Sequence, residues 1–322
     1  MNHLESSFTG KNTFWRYIVM LAAVLAVSNT IGAIPLMISI IRNPAAAGEL
    51  ASGTSGLTFP GLNPLTAFVL LLIPFIVALA AFILLVRPLN GRTIMTVING
   101  TRTFRWKRFF IPAAVWTSIS IVYLFVSLKL DPSNFTVNNI SLSLIPLVIV
   151  SLLLVPFQAA FEEILFRGYF MQGFTVIFRN RLLPLVITSI LFGLMHSLNP
   201  EVSEFGFLTM MPQYILFGLI FGVVAVMDDG IESAIGIHAA NNVFLCIMVT
   251  NKSSALQTPA VWEQHAIQPW TEFVFMLVMG ALTVLILRKI FNWGSFSLLF
   301  GKVEAKAETK AEFTENRSAG IH

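Results

Sequence analysis

Residues 142–170 read LSLIPLVIVSLLLVPFQAAFEEILFRGYF. From residue 142 to 160 the run is apolar almost without interruption, about the length that crosses a bilayer. It then meets Glu162, Glu163 and Arg167. Ionisable groups inside a membrane segment cost a few kcal/mol each on insertion scales, so they face protein or a water-filled cavity and pair with one another. On a helix Glu163 and Arg167 are i,i+4 neighbours and can form an ion pair. Glu162 lies about 100° round the axis and is left over. A membrane helix carrying one structural pair and one spare carboxylate sets the fold class, and it marks where chemistry can begin.

The composition agrees. Only 11% of the 322 residues are charged and the mean hydropathy is +0.80, against roughly 25% charged in soluble domains. The expected architecture is all-α: a polytopic helical membrane bundle with a buried polar site. The net charge of +4 does not point to nucleic acid, because no dense basic stripe with interleaved aromatics is present. Its basic residues cluster instead in short loops, as the positive-inside rule expects. The single cysteine, Cys246, excludes an intrachain disulfide, and its apolar setting suggests packing rather than reactivity. The first apolar stretch lacks a small-residue cleavage site and is long enough to span, so it does not read as a cleaved signal.

Taken in order, the pattern predicts eight spans, at 14–41, 65–86, 111–128, 142–170, 182–198, 208–227, 231–250 and 270–291. Residues 1–13 form a polar N-terminal segment, expected to be mobile. Residues 14–300 form the transmembrane domain, with its core at about 142–250. Residues 301–322 are a charged tail expected to be disordered or a frayed helix. The stretch 87–110, rich in arginine and aromatic residues, reads as a cytoplasmic loop with an interfacial helix. With eight spans both termini share a side, and the basic clusters make that side cytoplasmic. The absence of an internal repeat weakens a transporter built from inverted halves.

Polar residues able to do acid–base work within the spans are few. Besides Glu162, Glu163 and Arg167 they are His196, with Phe192 one turn before it, and His238, with Asn242 one turn after it. Gly236, Ala239 and Ala240 would let another helix approach closely. Peptide hydrolysis needs a base for water, a proton for the leaving amine and donors for the oxyanion. Glu162, His196, His238 and Asn242 supply those functions, whereas Ser189 and Ser197 lack the context of an activated nucleophile. Each pair alone also has a plain reading: an ion pair for Glu163 and Arg167, an interhelical hydrogen bond for a lone histidine, packing for Phe192. The same Glu162, His196 and His238 could instead hold zinc with an open fourth position, although no His-Glu-x-x-His helix is present. No cofactor is favoured.

The three pairs, in this order, resemble the motifs of the CAAX-protease and bacteriocin-processing (CPBP, or Abi) family of intramembrane endopeptidases. Glu162-Glu163-x-x-x-Arg167 is similar to its first motif, Phe192-x-x-x-His196 to its second and His238-x-x-x-Asn242 to its last. The resemblance covers residues 155–245. It implies an eight-helix membrane endopeptidase whose site lies within the bilayer and opens toward the cytoplasm. Glu162 with His196 would activate water and His238 with Asn242 would form the oxyanion hole, with Glu163, Arg167 and Phe192 in support. Partners would be membrane lipids and a peptide or lipid-modified protein substrate. A non-catalytic immunity or scaffold protein binding a peptide through the same cavity is the rival reading; a transporter or channel comes third. One geometric conflict arises at this stage. A fourth span ending near residue 170 leaves Glu162 in the inner half, while His196 would stand roughly 20 Å up the fifth.

Overall fold

A chain this apolar must satisfy its backbone internally, and in a bilayer that means helices. The computed structural model describes residues 3–45, 47, 61–138, 142 and 144–305. Among them, six helices are long and apolar enough to cross a membrane: Phe14–Ile41, Pro64–Asn90, Trp106–Leu130, Leu144–Phe178, Phe207–Met227 and Pro269–Ile290. Two shorter helices, Leu182–Met195 and Glu232–Met248, stand where the sequence places the fifth and seventh spans. The protein is a multi-pass integral membrane protein. Its outer surface carries Ile18, Leu84, Phe125, Leu153 and Leu285 exposed, an apolar belt that lipid would cover. Inside, Phe82, Trp116, Tyr169, Phe192 and Phe221 belong to one core.

Small residues set the helix spacing around the site. A Cβ on Gly236 would collide with the carbonyl oxygen of Phe109, so the third and seventh spans touch backbone to backbone there. A Cβ on Gly218 would lie 2.7 Å from the Cα of Ser189, which brings the fifth and sixth spans together in the same way.

The fourth span runs well past residue 170, correcting the sequence boundary. Its middle, Ile164–Phe170, is wound as a π-helix, and the α-helix Met171–Phe178 continues it. The apolar pattern thins there because Gln172 and Thr175 are polar, yet both are buried and satisfied. Gln172 Nε2 donates to the carbonyls of His3 (2.8 Å) and Thr96 (2.9 Å), and Thr175 Oγ1 donates to that of Met171 (2.8 Å). The extension resolves the conflict in depth. Glu162 stands roughly 24 Å above the end of its helix and His196 roughly 21 Å above the start of the fifth, at 1.5 Å per residue.

Both ends of the described chain meet on one face. The N-terminal segment, expected to be mobile, packs against the rest of the chain: His3, Leu4 and Ser7 are buried, and the His3 amide donates to Asp229 Oδ1 at 3.0 Å. Arg181 pairs with Glu5 at 2.5 Å. The start of the tail is pinned too, with Val303 buried and its amide bonded to the Arg179 carbonyl. The expectation for the tail beyond residue 305 lies outside the described residues. The stretch 87–110 also differs from an interfacial loop. Its short helix Ile94–Ile98 buries Val97 and Ile98, and Arg92 is buried against Gln172 and Tyr17. Arg105 pairs with Glu232 at 2.6 Å, and Arg108 with Asp228. These arginines therefore tie the loops of this face together.

The opposite face holds a small sheet in the order β1–β3–β2. Strand β1 (Phe135–Val137) is antiparallel to β3 (Trp262–Gln264), and β2 (Val249–Thr250) is parallel to it.

Candidate active site

Glu163 organises the interior. Its side chain is fully buried, and Oε1 accepts from Arg167 Nη1 and from His238 Nδ1, both at 2.8 Å. The guanidinium is held from three further sides. It lies 4.2 Å over the Phe192 ring and 5.2 Å from the Phe221 ring, and Nη2 donates to the Gly218 carbonyl at 3.2 Å. A buried charge is tolerated only when paired and hydrogen-bonded, and Arg167 meets both conditions. The anticipated i,i+4 pair exists and also fixes His238, whose ring stacks on Phe221 at 5.0 Å.

Since the Glu163 carboxylate only accepts, His238 Nδ1 carries a hydrogen and Nε2 is the free ring nitrogen. It lies 3.7 Å from Glu162 Oε2. That oxygen is buried and has no hydrogen-bond partner. The other, Oε1, accepts from Gln158 Nε2. Gln158 then takes Asn242 Nδ2 on its own oxygen at 2.9 Å, Asn242 accepts from Asn241 at 3.0 Å, and Asn241 accepts from Trp116 Nε1 at 3.2 Å. A chain of amides thus runs from the third span through the seventh to the spare carboxylate.

His196 ends the fifth helix. Its Nδ1 contacts the Phe192 carbonyl at 2.8 Å, which makes that nitrogen the donor and leaves Nε2 free. The ring is clamped between Phe192 and Tyr214, both centroids at 4.6 Å. Phe192 therefore does two jobs, covering Arg167 with its ring and orienting His196 with its backbone.

Glu162, His196, His238 and Asn242 all line one cavity of about 490 Å³, as does Phe192. Glu163 and Arg167 lie behind its wall. Gln158, Asn241, Tyr214 and Phe221 also line it and were missed in the sequence. Gln158 had a signal, being a lone amide in an apolar run one turn before Glu162. The others had none, since their importance comes from contacts between spans.

A metal fits this arrangement poorly. Among the described residues no three His, Cys, Asp or Glu side chains gather closely enough to hold an ion. Glu162 Oε2 and His238 Nε2 form a pair, while His196 is fixed separately between two aromatic rings.

The cavity walls end on Asn199, Glu201, Asn251, Ser254, Gln264 and Glu272, all on the face opposite the chain ends. The expectation that termini and site opening share the cytoplasmic side is thereby corrected. The reason is topological: the fifth and seventh helices carry His196 and Asn242 toward their C-terminal ends, away from the face where residues 3 and 303 sit.

Residues 141–244 match the family described as type II CAAX prenyl endopeptidase, Rce1-like. This segment contains every candidate residue above. The chain is also similar to an uncharacterized protein, YyaK, of Bacillus subtilis (strain 168), 28% identical over 258 residues that make up 79% of this chain and 84% of the relative. No solved structure matches it significantly. Over residues 141–244 the chain is thus similar to the Rce1-like family of type II CAAX prenyl endopeptidases.

Proposed function

We propose that the protein is an intramembrane endopeptidase that hydrolyses a peptide bond of a membrane-associated peptide or protein with a water activated by Glu162. The observation that carries this reading is the unpartnered, buried Glu162 Oε2, 3.7 Å from His238 Nε2, on a cavity that His196 and Asn242 also line. A buried acceptor without a partner carries a penalty of about 1–3 kcal/mol. A water donating to it would remove that penalty and stand ready for attack.

The roles follow from hydrogen positions and charge. His196 in its neutral form has a lone pair on Nε2 and accepts the second hydrogen of the water. Glu162 takes the proton as the water oxygen bonds to the scissile carbonyl carbon, and later hands it to the leaving amine. His238 and the remaining N–H of Asn242 receive the developing oxyanion. Glu163, Arg167 and Phe192 are positioning residues, and Gln158 joins them by holding both Glu162 and Asn242. Both termini are assigned to the cytoplasm.

The test compares membrane peptides by mass spectrometry from cells carrying the wild-type or the Glu162→Gln protein. Peptides with new termini present only with the wild type are expected. Identical peptide sets would refute hydrolysis and favour the scaffold reading.

A further inference from the structure

Three features of the molecule combine into a statement about access. The first is the mouth. Every loop residue that lines the cavity belongs to the connections around 199–201 and 251–267, and none comes from those at 91–105, 179–181 or 228–231. The second is the floor. Below the site, the fully buried Arg167 is sealed by Phe192, Phe221 and the Gly218 carbonyl. Next to it, Gly168 lies so close to Val97 that a Cβ there would approach Val97 Cγ1 to 2.7 Å. Water and chain therefore reach Glu162 from one direction.

The third feature is charge. The face shared by the chain ends carries Arg87, Arg92, Arg102, Arg105, Lys107 and Arg108 in one connection, with Arg179 and Arg181 in the next. On the face of the mouth, the basic residues among those described are Arg42, Lys129 and Lys252. They are set against Asp131, Glu201, Glu204, Glu263 and Glu272. Lys and Arg in short loops set orientation and remain on the cytoplasmic side, whereas acidic residues contribute little.

We infer that the cavity opens to the extracytoplasmic side. Its substrates are accordingly polypeptide segments exposed there, either exported peptides or outward loops and ends of membrane proteins, not the cytoplasmic lipid-modified tails that the family name suggests. This inference rests on the protease reading for its substrate and on topology alone for its direction, so the two are separable.

Two cysteine variants at exposed positions, Lys252→Cys beside the mouth and Arg102→Cys on the opposite face, are treated in intact cells with a membrane-impermeant maleimide. The buried Cys246 of the parent chain gives the background. Lys252→Cys is expected to label at once and Arg102→Cys only after permeabilisation. In parallel, right-side-out and inverted membrane vesicles containing the wild-type protein receive a synthetic peptide library on the outside. Cleavage is expected with right-side-out vesicles and absent with inverted ones. Reversed labelling, or cleavage confined to inverted vesicles, overturns the outward opening and leaves proteolysis intact. The expected labelling with no Glu162-dependent cleavage in either orientation upholds the outward opening and removes the protease reading.

Discussion

At the residue scale, the account turns on two adjacent carboxylates with different work. Glu163 Oε1 takes both Arg167 and His238; each glutamate leaves its Oε2 without a hydrogen-bond partner, but only Glu162 lines the cavity. That split was legible in the sequence, because i,i+4 spacing pairs one glutamate and excludes its neighbour. The link from Glu163 to His238 was not legible, since it spans two helices far apart in the chain. Different failures follow from the two changes. Glu163→Gln leaves the Arg167 charge buried without its counterion and is expected to cost about 3–5 kcal/mol, read as a lower unfolding midpoint in detergent. Glu162→Gln is expected to keep the fold and lose cleavage. Gln158→Leu removes the bridge between Glu162 and Asn242; misplacing a catalytic group by about 1 Å costs on the order of 100-fold in rate. A kcat fall of that order, with a midpoint lowered by the partners left unpaired, is the expected outcome, and unchanged kcat would show the bridge to be dispensable.

At the element scale, the six long helices among the described residues announced themselves through length and apolar run, while Leu182–Met195 and Glu232–Met248 are shorter than the stretches expected there. The least legible boundary was the end of the fourth, where a π-wound stretch and the polar Gln172 and Thr175 break the pattern while the helix continues. Local sequence shows the polar atoms but not the carbonyls of His3 and Thr96 that satisfy them. The helix contacts that frame the site rest on missing side chains. Gly236→Val would drive a branched side chain into the Phe109 carbonyl. Forced overpacking costs about 1–3 kcal/mol and would part the third span from the seventh, displacing Asn241 and Asn242. Loss of activity together with a lowered midpoint is expected; full activity would contradict a backbone contact at that point.

At the scale of the whole molecule, one face is bound together by charge and the other is open. The bound face includes His3, whose burial lowers its pKa from the ordinary 6.5 to about 4, with Asp229 and Glu232 opposing and Arg105 adding to the shift. Because the folded value lies below the unfolded one, the neutral ring contributes stability fully above about pH 6.5, and that contribution is lost as pH falls toward 4. Hydrogen exchange in residues 3–12 should rise on acidification through this range, and His3→Leu should flatten the dependence. Which face holds the mouth was not legible in the sequence, because it depends on where along their helices the site residues fall once the fourth span is seen at full length. The most direct test of the central claim uses wild-type and Glu162→Gln protein in lipid nanodiscs, incubated with a synthetic peptide library and read by mass spectrometry. The account predicts new peptide termini with the wild type and none with the variant at an equal unfolding midpoint. Equal cleavage by both proteins, or none by the wild type, would contradict it.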